Sequence, residues 1–254
     1  MLGLGNDLTG GFTERTTPDY SLSLDGDTDR VVLAGARTYD IEDAGDNGSI
    51  SFWVKRTDNN DEATILGDSS AASIKRLYFD SDGDRLYIEG EENAQYAYGV
   101  VTADTAWHHY VVTWAGSAGG SAAAVVFYED GSAVSTTITD FGAASSKNFV
   151  VNQIGSTVFG SNTHELKGLL YQLGAWDATL DADAVAAIYN SGTPIPLQEN
   201  KGNYDNSGDL VTLFRFNEGG SGVPIAGTPI TYATRDSAEG LFSASTYGIL
   251  TGDA

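Results

Sequence analysis

The segment KRLYFDSDGDRLYIEG, Lys75 to Gly90, contains two short stretches of alternating apolar and polar residues that flank SDGD. Alternation with a period of two places successive side chains on opposite faces of a β-strand. Asp-Gly between two such stretches is a turn signal for a β-hairpin. The segment therefore predicts two antiparallel strands, Lys75–Phe79 and Arg85–Gly90.

The same pattern recurs along most of the chain, with turn signals at spacings of about 8–12 residues. Further predicted strands are YSLSL (Tyr20–Leu24), RVVL (Arg30–Leu33), GSISFWVK (Gly48–Lys55), YAYGVV (Tyr96–Val101), WHHYVVTW (Trp107–Trp114), AAVVFY (Ala123–Tyr128), SAVSTT (Ser132–Thr137), FVVNQIG (Phe149–Gly155) and LKGLLYQLGAW (Leu166–Trp176). Many short strands joined by glycine turns predict an all-β fold, an antiparallel two-sheet sandwich of the jelly-roll type.

One stretch, LDADAVAAIYNSG, breaks the strand pattern. Val185, Ile188 and Tyr189 recur at helical spacing, and Asp181 is a good residue for capping the N-terminus of a helix. We expect one short helix over residues 182–190.

The composition of the chain changes at both ends of the strand series. Residues 1–19 are polar and glycine-rich, which predicts an N-terminal arm rather than part of the core. Residues 20–192 form the predicted sandwich. Residues 193–254 form a predicted C-terminal extension, partly packed on the sandwich, with a strand near 210–217.

The charge balance excludes several classes of function. The 254 residues contain 13 Lys and Arg against 35 Asp and Glu, a formal net charge of −22. Such a chain repels phosphate backbones and anionic lipids, so we expect no binding to nucleic acid. It has no cysteine, which excludes a disulfide framework and a cysteine nucleophile. No apolar run is long enough to insert into a membrane, and the first residues lack the pattern of a secretion signal.

Five motifs follow one another between Tyr20 and Gly192. They are YSLSLDGDTDRVVL, SISFWVKRTD, AWHHYVVTW, VVFYEDGSAV and GLLYQLGAWDATLDADAVAAIYNSG. Together they resemble the laminin-G-like, concanavalin A-like lectin superfamily, and FRFNEGGSG (Phe214–Gly222) resembles a strand that often follows such domains. The resemblance implies a concanavalin A-like sandwich. It leaves the function open, because this fold hosts lectins, adhesion modules, glycosidases and virion proteins.

The resemblance also implies a calcium-binding Asp on the long strand, but Tyr171 occupies that position. Tyrosine is a poor ligand, because calcium prefers several hard oxygens. The acidic segments DGDTD (Asp25–Asp29) and DSDGD (Asp80–Asp84) are followed by Arg30 and Arg85 at the sixth position, where an EF-hand loop needs glycine. We therefore interpret them as structural turns. We expect no metal or cofactor, with a surface calcium in either turn as the alternative.

Histidines and carboxylates are the other candidates for chemistry. His108 and His109 are adjacent on a predicted strand and face opposite sides, so we expect packing or hydrogen bonding rather than a shared metal. Glycosidases need two carboxylates at a defined separation. The nearest arrangement here is Glu89 and Glu91, split by Gly90. We therefore predict no catalytic residues and a protein that is not an enzyme.

Tyr96 and Tyr98 are the candidate glycan-binding residues. They lie two apart in a polar stretch, so a strand would present both rings on one face. Such a pair could stack on the apolar faces of sugar rings. The alternative interpretation is ordinary cross-strand packing.

These observations predict a non-catalytic structural or binding protein. The polar arm and the segment YNSGTPIPLQENKGNYDNSGDLVTLFRFNEG resemble structural proteins of tailed phages, especially aquatic ones. We therefore expect a surface component of a phage virion, such as a capsid decoration, fibre or tail-appendage subunit, made in the host cytoplasm without a signal peptide. Its partners would be other virion proteins or copies of itself, together with host or environmental glycans. The alternatives are a free extracellular lectin that binds carbohydrate and a glycosidase of the same fold.

Overall fold

A computed structural model describes residues 21–27, 29–41, 45–59, 61–68, 75–91, 95–117, 122–141, 149–159, 162–216, 229–235 and 242–251. The arm predicted for residues 1–19 lies outside these ranges. None of the helices in the described part of the chain is long and apolar enough to span a membrane.

The described residues form eighteen β-strands. In chain order these are β1 (Leu22–Asp25), β2 (Arg30–Tyr39), β3 (Asn47–Arg56), β4 (Ala63–Gly67), β5 (Arg76–Phe79), β6 (Arg85–Glu91), β7 (Gln95–Val100), β8 (Trp107–Ala115), β9 (Ala124–Glu129), β10 (Ser132–Ala133), β11 (Thr136–Thr139), β12 (Phe149–Ile154), β13 (Ser156–Phe159), β14 (Asn162–Glu165), β15 (Lys167–Trp176), β16 (Leu210–Phe214), β17 (Pro229–Arg235) and β18 (Phe242–Thr251).

The strands pair antiparallel and form two layers. The first layer has the order β10-β9-β8-β3-β15-β16, with β1 also paired to β15. The second has the order β2-β12-β4-β5-β6-β7-β11, and β17 and β18 connect β16 to β2 along one side. A separate hairpin, β13–β14, contacts β4. The all-β two-sheet sandwich predicted from the alternating stretches is therefore confirmed.

The predicted helix is present as α1 (Ala182–Tyr189). Asp181 caps it, because its Oδ1 accepts a hydrogen bond of 2.8 Å from the backbone N–H of Ala184. The helix ends one residue earlier than predicted, because Asn190 adopts the left-handed conformation at φ 46°. A left-handed turn follows at Asn190–Gly192, where all three residues have positive φ, and a short 3₁₀ helix lies at Asn206–Asp209.

The main core lies between the two layers and is rich in aromatic residues. The largest fully buried side chains in this cluster are Ile41, Phe52, Phe79, Tyr110, Trp114, Phe127, Phe141, Phe149 and Phe214. Gly48 lies so close to the Trp114 ring that a Cβ would overlap it, which explains the absence of a side chain at this point of β3. The Trp114 indole N–H donates to the carbonyl of Asp40 at 3.0 Å and so fixes the ring.

A second apolar cluster covers the outer face of the first layer. Helix α1 contributes Val185 and Ile188, and the following segment contributes Leu197 and Tyr204, which pack with Trp176 of β15. Helix α1 and the segment after it therefore cover the outer face of the first layer. On the second layer, in contrast, the outward side chains of β7 remain half-buried.

Candidate functional site

The outer face of the second layer carries a cluster of tyrosines, which we call the tyrosine face and define by Tyr78, Tyr87, Tyr96 and Tyr98. Strand periodicity puts them there, because the alternate residues of the same strands point into the core. Leu77, Phe79, Leu86, Ile88 and Ala97 are the inward-pointing neighbours.

Three of these tyrosines form a ladder across neighbouring strands. Tyr78 of β5 lies directly opposite Tyr87 of β6, and Tyr87 lies directly opposite Tyr98 of β7. The ring centroids are 5.1 Å apart in the first pair and 4.9 Å apart in the second. The ladder therefore runs perpendicular to the strands, with one ring from each strand.

The predicted pair, Tyr96 and Tyr98, lies on one face as expected. Their ring centroids are 6.4 Å apart and their planes differ by 20°. Both rings are half-buried, and Tyr96 lies 5.8 Å from Tyr87. Tyr87, Tyr96 and Tyr98 thus form a triangle of rings that water can still reach. Thr137 and Thr139 of β11 lie opposite Tyr98 and Tyr96 at the edge of the face.

Arg76 closes one end of the tyrosine face. Its guanidinium carbon lies 3.6 Å from the centroid of the Tyr78 ring, and both side chains are buried. Arg76 donates from Nε to Glu89 at 2.9 Å and from Nη1 to Glu62 at 2.6 Å. His164 of β14 contacts the same Glu62 oxygen at 2.9 Å, and the hydrogen bond from His164, helped by Arg76, lowers the pKa of Glu62 to about 2.

Arg85 borders the opposite side of the ladder. Its guanidinium carbon lies 5.3 Å from the centroid of the Tyr98 ring, and its side chain hydrogen-bonds to Tyr87. Two aspartates of the β5–β6 turn lie beside it, with Asp80 at 3.7 Å and Asp84 at 3.8 Å. Arg85 is largely exposed, so these ion pairs contribute little to stability.

The two histidines point in opposite directions, as their adjacent positions predict. His108 hydrogen-bonds Asp130 at 2.8 Å and Asp104 at 3.0 Å, and these carboxylates raise its pKa to about 9. His109 is buried, which lowers its pKa to about 3, and its Nε2 lies 2.7 Å from Ser51 Oγ. Both histidines serve packing and hydrogen bonding.

The acidic turns have the hydrogen bonds of structural turns. Asp25 Oδ1 accepts from the N–H of Asp27 at 2.9 Å, and Asp80 Oδ1 accepts from the N–H of Arg85 at 3.3 Å. In the part of the chain that the structure describes, no three acidic or histidine side chains come together as metal ligands. Tyr171 lies on β15, opposite Trp53 of β3.

The carboxylate considered for glycoside hydrolysis, Glu89, is buried and holds Arg76. The side chain of Glu91 lies outside what the structure describes. The second carboxylate on Arg76 is Glu62, so the two acids share one guanidinium. This arrangement supports a structural ion pair.

A cavity of about 220 Å³ lies at one end of the sandwich. Its lining includes Tyr39, Asp40, Asp46, Trp114, Trp176 and Asp177. The two tryptophans are only 1% and 0% exposed, so their rings present no free face to a ligand. Burial raises the pKa of Asp177. The tyrosine face, in contrast, has three aromatic rings that are only half-buried.

Sequence reasoning found Tyr96 and Tyr98 but missed Tyr78, Tyr87, Arg76 and Arg85. A signal for them was present in the hairpin KRLYFDSDGDRLYIEG, because pairing its strands around the turn places Tyr78 opposite Tyr87. Glu62 holds Arg76 at the end of the tyrosine face, and His164 in turn contacts Glu62. These contacts join distant segments, and the local sequence pattern does not predict them.

The comparisons with known structures concern the fold. A heptameric SAP-like pentraxin from Limulus polyphemus has 12% sequence identity, with 92% of this chain and 94% of that chain covered and a TM-score of 0.44. A Bacteroides ovatus protein, proposed to bind carbohydrate, has 11% identity and a TM-score of 0.54. That match covers 93% of this chain but only 59% of the Bacteroides protein.

The carbohydrate-binding module CBM40 of the Ruminococcus gnavus IT-sialidase has 12% identity and a TM-score of 0.45, with 68% of this chain and 98% of that chain covered. Among curated proteins, no sequence matches. Residues 25–186 match the family model of the concanavalin A-like lectin/glucanases superfamily. Because this segment is more than half of the chain, the protein belongs to the concanavalin A-like lectin/glucanase superfamily.

Proposed function

We propose that this protein is a non-catalytic carbohydrate-binding protein and that the tyrosine face binds the glycan. The observation that carries the proposal is the triangle of Tyr87, Tyr96 and Tyr98, with centroids 4.9 to 6.4 Å apart. Tyrosine rings offer an apolar surface with a polar hydroxyl edge. A sugar ring has the complementary properties, because its C–H face is apolar and its rim carries hydroxyls.

The alternative to glycan binding is that these rings only pack on each other. Tyr78 fits that description, because Arg76 covers it and only 7% of it is exposed. Tyr87, Tyr96 and Tyr98 keep part of their surface in water. The outer face of the first layer, in contrast, is covered by α1. A group of partly exposed aromatic rings on one face is typical of a binding site. The family and the proposed role of the Bacteroides relative support the same function.

Binding without hydrolysis is the better supported form of this function. Glycoside hydrolysis requires an acid that donates a proton and a second carboxylate that attacks or activates water. Glu62 and Glu89 beside the tyrosine face both hold Arg76 instead. A glycosidase should release reducing ends from polysaccharides, and we expect none above the level of a heat-inactivated sample.

For the setting, we propose the surface of a phage virion, with other virion proteins or copies of the chain as partners. The support is the resemblance of the sequence to structural proteins of tailed phages and a net charge of −22, which suits a protein facing solvent.

Deleting residues 1–17 should abolish incorporation into particles or oligomers without changing the melting temperature. A full-length protein that never joins a particle would favour the free lectin.

The direct test of the function is a glycan array probed with the full chain. Saturable binding to one group of structurally related glycans is expected. If the protein binds no glycan on an array of plant, algal, bacterial and animal structures, the proposal of carbohydrate binding is wrong. A purely structural role would then remain.

A further inference from the structure

The charged side chains around the tyrosine face are held by one another. Arg76 uses Nε and Nη1 on Glu89 and Glu62, and its flat face lies on Tyr78. Arg76 itself is buried, so a ligand carboxylate or sulfate would have to compete for it with the half-buried Glu62 or the buried Glu89. Since breaking a buried pair leaves an uncompensated charge, Arg76 does not act as an anion receptor.

Arg85 is the more exposed guanidinium on this face, and it is also matched by acids. Asp80 and Asp84 lie 3.7 and 3.8 Å from its nitrogens, and Asp82 belongs to the same turn. Two guanidiniums face four carboxylates beside the tyrosines, Glu62, Glu89, Asp80 and Asp84, and Glu62 also contacts the imidazole of His164. The local potential is therefore negative and adds to that of a chain with a net charge of −22.

The uncharged groups of the face suit sugar hydroxyls. Thr137 and Thr139 continue the two cross-strand rows of Tyr98 and Tyr96 at the β11 edge, and Thr137 is exposed. Hydroxyls of threonine and tyrosine both donate and accept hydrogen bonds, as sugar hydroxyls do. These groups can hydrogen-bond a polyhydroxylated ligand that carries no charge.

We infer that the tyrosine face selects neutral glycans and rejects glycans that carry carboxylate or sulfate groups. The inference rests on the proposed function and adds the chemical class of the ligand. Like charges across an interface select against the wrong partner, and the four carboxylates supply this repulsion toward an acidic glycan.

The test uses pairs of glycans with the same backbone in neutral and acidic form. Suitable probes are methyl-esterified and free polygalacturonate, desulfated and native carrageenan, and lactose and sialyllactose, measured by affinity electrophoresis or on an array. For any pair that binds, we expect the neutral member to bind the native protein at least about tenfold more tightly.

Removing the acids beside Arg85 should change this preference. The variant Asp80→Asn/Asp84→Asn keeps the oxygens of the turn and releases the guanidinium, so its preference for the neutral member should fall by at least about threefold. Asp84→Asn alone, which preserves the hydrogen bond of Asp80 to the turn, should change the preference in the same direction. The control Glu199→Gln/Asp205→Asn changes the net charge equally at exposed positions outside the face and should leave the preference unchanged.

Each outcome separates the inference from the proposed function. Tighter binding of the native protein to acidic members overturns the inference and leaves carbohydrate binding in place. An equal change of preference in the Glu199→Gln/Asp205→Asn control also overturns it, because net charge would then explain the selection. A native protein that binds no glycan on the full array overturns the inference together with the proposed function.

Discussion

Tyr98 lies directly opposite Tyr87 in the antiparallel pairing of β6 with β7, and the centroids of their rings are 4.9 Å apart. Tyr78 continues this row on β5, because the turn at Asp80–Asp84 fixes it opposite Tyr87. Three consecutive strands thus bring one ring each to the same level of the sheet. The registers of two pairings, β5 with β6 and β6 with β7, therefore determine whether the aromatic surface exists, since a slip of one strand by one residue would turn its rings toward the core.

Phe52 tests the packing of the sandwich. It is fully buried on β3, and its ring centroid lies 5.7 Å from that of Tyr110. Phe52→Ala leaves a cavity between the layers and should lower the free energy of unfolding by about 3–5 kcal/mol, measured by denaturant titration. Lys55→Ala, at an exposed position of the same strand, should cost less than about 0.5 kcal/mol. Equal tolerance of the two changes would contradict the assignment of the inner face of β3.

His108 predicts a loss of stability at alkaline pH. Hydrogen bonds to Asp130 and Asp104 raise its pKa from 6.5 to about 9 in the folded protein. A raised pKa means that the ion pairs contribute fully below pH 6.5 and that the contribution is lost as the pH rises through about 9. The side chain is mostly buried, so we expect an effect on the order of 2 kcal/mol.

The measurement for His108 is the free energy of unfolding across this pH range. The native protein should lose stability, whereas His108→Gln should start lower and show a flatter profile. His164→Gln, a histidine change in the β13–β14 hairpin, should keep the alkaline loss. An unchanged slope in His108→Gln would show that another group titrates in this range.

Calcium should be dispensable for the fold. Tyr171 occupies the position at which the family resemblance implies a calcium-binding Asp, and the aspartates of the two acidic turns accept backbone hydrogen bonds. Excess EDTA should shift the melting temperature by less than about 3 °C, which corresponds to about 1 kcal/mol for a domain of this size. A drop of about ten degrees that calcium reverses would instead identify one of these turns as a metal site.

The sequence predicted the fold class and the helix because their signals are local. Alternation in GSISFWVK and the cap at Asp181 each depend on a few neighbouring residues. Boundaries were less accurate. The stretch Ser132–Thr137, predicted as one strand, is divided between β10 and β11, and β2 extends to Tyr39 rather than ending at Leu33.

The tyrosine face was predicted only in part, for a physical reason. The pair Tyr96 and Tyr98 follows from the period of one strand, whereas the contact with Tyr87 requires the pairing of β6 with β7. The ion pair between Arg76 and Glu62 joins a buried guanidinium to a half-buried carboxylate on a different segment. The alternation of residues within one strand predicts neither the contact of Tyr87 with Tyr98 nor that of Arg76 with Glu62.

The most direct measurement is the affinity of three variants for the glycan that binds most strongly on the array, determined by titration calorimetry below their melting temperatures. Tyr87→Ala/Tyr98→Ala should bind about 100-fold more weakly than the native protein, because it removes the centre of the aromatic surface. Tyr96→Ala should bind about tenfold more weakly. Tyr189→Ala, which removes a half-buried ring from α1 on the opposite side of the sandwich, should bind like the native protein. Native affinity in a folded Tyr87→Ala/Tyr98→Ala variant would contradict the assignment of carbohydrate binding to the tyrosine face.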